Sequence, residues 1–172
     1  MTSKLRFVVR FLTVFAAVIV AGWLSGAPTR YAAALRVGAS ITSPLANGWS
    51  LEERDRSATG RQEIWFRRGN DQLRLGLSLD ALALGLLPLL ALLAATPGLG
   101  ATGFLTRALL GVAGMFALDL LVLLLYPLLV GSPNAVTDIV GTFLGLLTFV
   151  GGPVILWFML TFRQLRAVWR LE

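Results

Sequence analysis

The chain has 172 residues, 56% of them hydrophobic and 14% charged, with a net charge of +6 and neither cysteine nor histidine. A soluble domain carries about a quarter charged residues, and here long stretches carry almost none, so a bilayer is the natural solvent for most of the chain. The missing residue types exclude a disulfide framework, a cysteine nucleophile, a thiolate or imidazole metal site and a histidine general base. The positive charge falls at apolar-run boundaries and in one loop, which indicates membrane topology rather than nucleic acid.

Phe7 to Trp23 form the first apolar run, preceded by Lys4 and Arg6 and containing Arg10. A basic start before an apolar stretch also describes a secretory signal. The small residues Ser25-Gly26-Ala27 make a poor cleavage site because Pro28 follows at once, so an uncleaved helix is expected.

Residues 26–79 are the one long polar segment, holding eight arginines against five acids, Glu52, Glu53, Asp55, Glu63 and Asp71. Thr29 to Ala46 mixes Tyr31, Leu35, Val37 and Ile41 with small and basic residues, the composition of a helix at the membrane interface. Beyond it the chain reads as extended. Glu63-Ile64-Trp65-Phe66-Arg67 is β-prone, Gly69-Asn70-Asp71 supplies a turn, and Leu73, Leu75, Leu77 and Leu79 alternate with polar or small residues. Trp49 to Arg56 offers a third strand, turned at Ser57 to Gly60. So small a meander is marginal alone and is expected to rest on the membrane surface or on a partner.

Three more apolar runs follow: Asp80–Thr96 with Pro88 inside, Ala108–Val130 with Pro127 near its end, and Ile139–Phe162 interrupted by Gly151-Gly152-Pro153. Residues 131–138 make a tight turn between the last two. The expected fold is therefore an all-α membrane protein of about four transmembrane helices. It divides into a first helix (1–25), an extracytoplasmic loop with an interfacial helix and a small β-meander (26–79), and a three-helix region (80–172). Lys4, Arg6, Arg10, Arg107, Arg163, Arg166 and Arg170 fall on one side when the N-terminus is inside, and residues 131–138 add no basic residue opposite. The positive-inside rule then puts both termini in the cytoplasm and the loop in the periplasm of a bacterial inner membrane, because long loops weigh little.

Asp119 is the one ionisable residue well inside a span, on a face shared with Gly111, Met115, Val122 and Tyr126. Such a charge costs about 2.5–3.5 kcal/mol on insertion scales, so the group is expected to be buried, paired or neutral, either as protonated hydrogen-bond glue between helices or as a partner contact or functional carboxylate. Counting back from the tight turn places Thr148 at its depth, and Thr13 of the first helix is a further candidate. Gly141 and Gly145 give a small-xxx-small face for helix packing. Trp157 and Trp169 resemble interfacial anchors. In the loop, Trp49 and Trp65 are either a contact surface or the apolar side of the meander. Arg67 and Arg68 are either a site for an acidic partner or a solvated pair at a hairpin end. No serine has an activating base, the only lysine is Lys4, and Asp80 and Asp138 lie at span ends, so no catalytic residue, metal site or cofactor is expected.

The order of features resembles the exosortase-associated small membrane proteins, in particular the exosortase H-associated type. The resemblance rests on Leu5-Arg6-Phe7-Val8-Val9-Arg10-Phe11-Leu12, the strand-rich loop, Asp80-Ala81-Leu82 and Leu87-Pro88-Leu89-Leu90-Ala91-Leu92-Leu93-Ala94-Ala95-Thr96-Pro97. It continues in Phe116-Ala117-Leu118-Asp119, Pro133-Asn134-Ala135-Val136 and Gly152-Pro153-Val154-Ile155-Leu156-Trp157. The resemblance implies a non-enzymatic accessory subunit whose partners are membrane lipid and a multi-span exosortase that processes proteins bearing a C-terminal sorting tail. It transfers no catalytic residue. The alternatives from the residues themselves are a subunit of a small oligomeric transporter or channel, built around Asp119 and the proline-broken helices, and an envelope-assembly scaffold.

Overall fold

A computed structural model describes residues 3–55, 62–75, 77–130 and 135–169. Helix α1 covers Ser3–Ser25, and α2, Ala27–Thr42, starts directly after Gly26, whose φ of 63° turns the chain in the left-handed region that glycine tolerates. A 3-10 turn at Ser43–Ala46 leads into three strands, β1 (Ser50–Asp55), β2 (Gln62–Arg68) and β3 (Asp71–Arg74). The remaining elements are α3 (Leu79–Ala83), α4 (Leu86–Ala95), α5 (Ala101–Val130), α6 (Ala135–Leu146), a π turn (Leu147–Gly151) and α7 (Gly152–Trp169).

The chain is mostly helical, and three helical stretches are long and apolar enough to cross a membrane: Phe7–Ser25, Ala101–Val130 and Ile139–Arg166. The stretch expected as a fourth full span is instead the shorter apolar run Leu79–Ala95, broken between α3 and α4. Its length of about 25 Å falls short of a hydrocarbon core of about 30 Å. Pro88 explains the break. It has no N–H to offer the Leu84 carbonyl four residues earlier, and that carbonyl accepts from Leu87 N at 3.1 Å instead.

Boundaries elsewhere move for equally local reasons. Helix α5 begins at Ala101 rather than Ala108, two turns early. Arg107 fits inside those turns because its Nε donates to the Leu160 carbonyl at 2.7 Å and its Nη1 to the Gly103 carbonyl at 3.3 Å. The alternation through Leu79 ends sooner than its period implies: β3 stops at Arg74, and Leu79 is the first residue of α3. Ser78 Oγ accepts from Ala81 N at 3.0 Å and so caps that helix, converting the last leucine of the pattern to helical packing.

The sheet is antiparallel in the order β1-β2-β3, with Trp65 opposite both Glu52 and Arg74. Ile64, Phe66 and Leu73 are buried on its inner face. That face rests on the end of α5, where the Phe66 and Tyr126 rings lie 5.6 Å apart and Tyr126 donates its hydroxyl to the Arg74 carbonyl. At the opposite end of the bundle Phe7 stacks on Trp157 at 5.8 Å, Trp157 bonds Thr96, and Arg107 bonds Leu160. The beginnings of α1 and α5 and the later parts of α4 and α7 therefore share one end, and the sheet covers the other.

Helices α3 and α4 pass between α1 and the α5–α7 hairpin, with close backbone approach at Gly85. A Cβ there would stand 2.7 Å from the Thr148 carbonyl oxygen and 3.1 Å from Met115. Backbone cannot yield as a flexible side chain does, so Gly85→Ala should lower stability by roughly 1–3 kcal/mol. Thermal unfolding of the detergent-solubilised protein measures this, and an unchanged midpoint would show that the helices separate at no cost.

Candidate functional site

Asp119 is fully buried, as are Met115 and Tyr126 on the same face of α5, with Val122 nearly so. Its partner is Tyr31 of α2, whose hydroxyl donates to Asp119 Oδ2 at 2.7 Å. The Tyr31 ring packs edge-on against Phe116 at 5.9 Å, one turn below the carboxylate. Helix α2 reaches α5 because Tyr31, Ala32, Leu35 and Ala39 make a buried stripe of helical period. Gly38 deepens the contact, since a Cβ at that position would stand 2.9 Å from Leu120. The segment is helical as expected, and one of its faces is committed to the bundle.

Thr148 does not serve Asp119. It is fully buried, yet its hydroxyl donates to the carbonyls of Leu144 at 3.3 Å and Gly145 at 2.9 Å within its own helix. Thr13 likewise bonds the Val9 carbonyl at 3.0 Å and is exposed. The sequence places Tyr31 in a helix at the membrane interface and so not beside Asp119, from which it is 88 residues distant. A tyrosine one turn into an apolar helical stripe was the available signal.

The second Asp119 oxygen, Oδ1, is buried and accepts no hydrogen bond among the described residues. No ion pair reaches the carboxylate among them either. The group is therefore an acceptor held by one neutral donor. Among the described residues no three His, Cys, Asp or Glu side chains come together to hold a metal ion.

The glycines expected to mediate packing face the chain's own loop. A Cβ on Gly141 would stand 3.4 Å from the Leu75 carbonyl oxygen, and one on Gly145 would stand 3.1 Å from Leu77. They bring α6 against the segment that links the sheet to α3. Trp157, expected as an interfacial anchor, is instead 8% exposed and donates Nε1 to Thr96 Oγ1 at 2.8 Å. The Thr96 hydroxyl at the end of α4, which itself donates to the Leu92 carbonyl at 2.7 Å, has a lone pair left to accept the indole N–H and draws it inward. The Trp169 side chain, Arg56, Arg61 and residues 131–134 of the turn expected at 131–138 lie outside the described residues, and the rest of that turn is already the start of α6.

The loop residues separate into two kinds. Trp49 is buried at 2% exposure, with the Arg68 guanidinium 4.5 Å over its ring, so it belongs to the core. Trp65 is partly exposed on the outer face of the sheet, and Arg54 stands 5.3 Å over it. Arg68 pairs with Asp71 at 3.5 Å across the hairpin end, and Arg67 reaches Glu52 at 3.7 Å. The outer face carries further pairs, Arg54 with Glu52 at 2.7 Å and Arg74 with Glu63 at 2.8 Å. The hydrogen bond from Arg54 holds the Glu52 carboxyl below its ordinary value.

No family model, curated protein or solved structure gives a significant match to this chain.

Tyr31→Phe would strip Asp119 of its donor and should cost roughly 1–2 kcal/mol in thermal unfolding. Asp119→Asn keeps an oxygen that Tyr31 can bond and should cost less. The double variant Tyr31→Phe/Asp119→Leu, which removes both partners, should lose less than the sum of its singles; strict additivity would rule out the coupling. A depressed carboxyl stabilises the fold above the ordinary carboxylate pKa, and the effect disappears as pH falls through the lowered value. Wild type should therefore melt slightly above Glu52→Gln at neutral pH, with the gap closing in acid. A gap that widens in acid would reverse the assignment.

Proposed function

We propose that this chain is a non-enzymatic accessory subunit of the bacterial inner membrane that supports a multi-span exosortase. The observation that carries this is a division of surfaces. The sheet is fixed on one end of the bundle with Trp65 and its arginine–glutamate pairs outward, while only 6% of the apolar Phe7–Ser25 window is buried within the chain. A helix that packs on α4 along one face and leaves most of its apolar surface open, below a rigid polar platform, is the arrangement by which a small membrane protein docks beside a larger one. The absence of cysteine and histidine from the sequence accords with an accessory role beside a cysteine transpeptidase-like enzyme.

In this proposal the short α3–α4 segment is the fourth crossing, tilted and completed by its neighbours. Both termini are cytoplasmic, and residues 26–79 are periplasmic. The shared position of the helix ends near Phe7, Thr96, Arg107 and Leu160 supports that topology, because an even number of crossings returns the chain to its starting side. A subunit of an oligomeric transporter is the alternative, favoured by the unpartnered Asp119 Oδ1 inside the bundle.

The deciding experiment is purification from native membranes through a C-terminal tag in mild detergent. Near-stoichiometric recovery of an exosortase is the expected outcome. Recovery with copies of itself alone would overturn the accessory role and favour the transporter, with Asp119→Asn then expected to abolish transport.

A further inference from the structure

Helices α5 and α7 cross in direct contact at Gly114 and Leu156, where a Cβ on the glycine would stand 3.0 Å from the leucine. Above that crossing they part. The π turn and Gly152 on one side and Gly114 and Ala117 on the other supply little bulk, leaving an open groove of about 300 Å³ also lined by Leu118, Leu121 and Leu156. The lining is almost wholly apolar. Its size is at the lower end of small-ligand sites.

The basic residues around the groove follow the same helical faces. Arg107 is seven residues before Gly114 on α5, and Arg163 is seven residues after Leu156 on α7. Two turns bring each back to the groove's side of its helix, about 10 Å toward the end that holds Phe7 and Trp157. Between them and the groove run Leu110 and Met159, exposed at 56% and 71%. Neither arginine forms an ion pair among the described residues. Arg107 is also held in place, because its Nε and Nη1 bond the carbonyls of Leu160 and Gly103. Uncompensated charge, an apolar track and a recess follow one another on a single face.

We propose that this face is a binding site for an anionic phospholipid of the leaflet on the side of the chain termini. Its phosphate lies against Arg163 and Arg107, and one acyl chain runs past Leu110 and Met159 into the groove beside Gly152. The dimensions agree: from the arginines to the far end of the groove, at Leu121 and Leu147, is roughly 21–24 Å by helical rise, against about 20–22 Å for half a bilayer with its headgroup zone. A neutral lipid fills the recess equally well but leaves the two cations without a counter-charge. The proposal does not depend on the exosortase assignment.

The test is native mass spectrometry of the purified full chain titrated with phosphatidylglycerol or phosphatidylcholine, on wild type, Arg163→Gln and Ala117→Trp. Ala117 is exposed, so tryptophan there fills the groove without entering the core. Wild type should prefer phosphatidylglycerol. Arg163→Gln should weaken that binding by about fivefold, the worth of one arginine near an anionic surface, and leave phosphatidylcholine unaffected. Ala117→Trp should remove most binding of either lipid with an unchanged melting temperature. Equal affinity for the two lipids, or indifference to Arg163→Gln, would overturn the proposal. So would a photo-crosslinker at position 117 in native membranes that captures a second copy or another protein in place of lipid.

Discussion

A carboxyl group enclosed by apolar helices must find a donor, and in this protein the donor comes from outside the hairpin that carries the acid. Tyr31 reaches Asp119 only if the chain reverses at Gly26 and lays α2 along α5. Once α2 lies there, its far end and the following 3-10 turn are carried to Leu123 and Leu124, beside which the first strand begins. The position of the sheet is thus set largely by where one hydroxyl can meet one carboxylate.

The other end of that connection is secured by backbone rather than by charge. Tyr126 is two turns beyond Asp119 on the same face, and its hydroxyl takes up the Arg74 carbonyl where β3 leaves the sheet. Gly141 and Gly145 then admit Leu75 and Leu77 against α6. Two tyrosines, one donating to α5 and one donated by it, tie the polar segment to the apolar bundle at two heights. Of the ion pairs on the outer sheet face, Arg54–Glu52 is largely exposed and contributes little to this seating, whereas the Glu63 carboxylate that holds Arg74 is buried.

Periodicity and charge placement made the helical character, the three long apolar helices, the three-stranded meander and the buried face of α5 legible in the sequence. Gly111, Met115, Val122 and Tyr126 follow from spacing alone, because a helix in an apolar solvent has no other way to arrange one polar group. What spacing could not supply was any contact between segments far apart in the chain. Thr148 was placed correctly in the buried interior, yet a threonine in a helix can satisfy itself on its own carbonyls, and here it does. Trp157 carried an anchor's signature but turned inward because the Thr96 hydroxyl at the end of α4, itself donating to Leu92, could still accept its N–H. Pro88 was visible; that it would divide a span depended on the Leu84 carbonyl finding Leu87 instead.

The distance in sequence between the partners of the two tyrosine bonds has a consequence for synthesis. Arg74 precedes Tyr126 by 52 residues, and Tyr31 precedes Asp119 by 88. At about 5–20 residues per second, the ribosome completes α2 and the strands roughly 3–18 s before the helix that holds them has been made. Throughout that interval the apolar stripe of α2 and the inner face of the sheet have α1 and α3 of their own chain beside them but lack the surface of α5. Part of both surfaces therefore stays open from the time they are made until α5 arrives to close it.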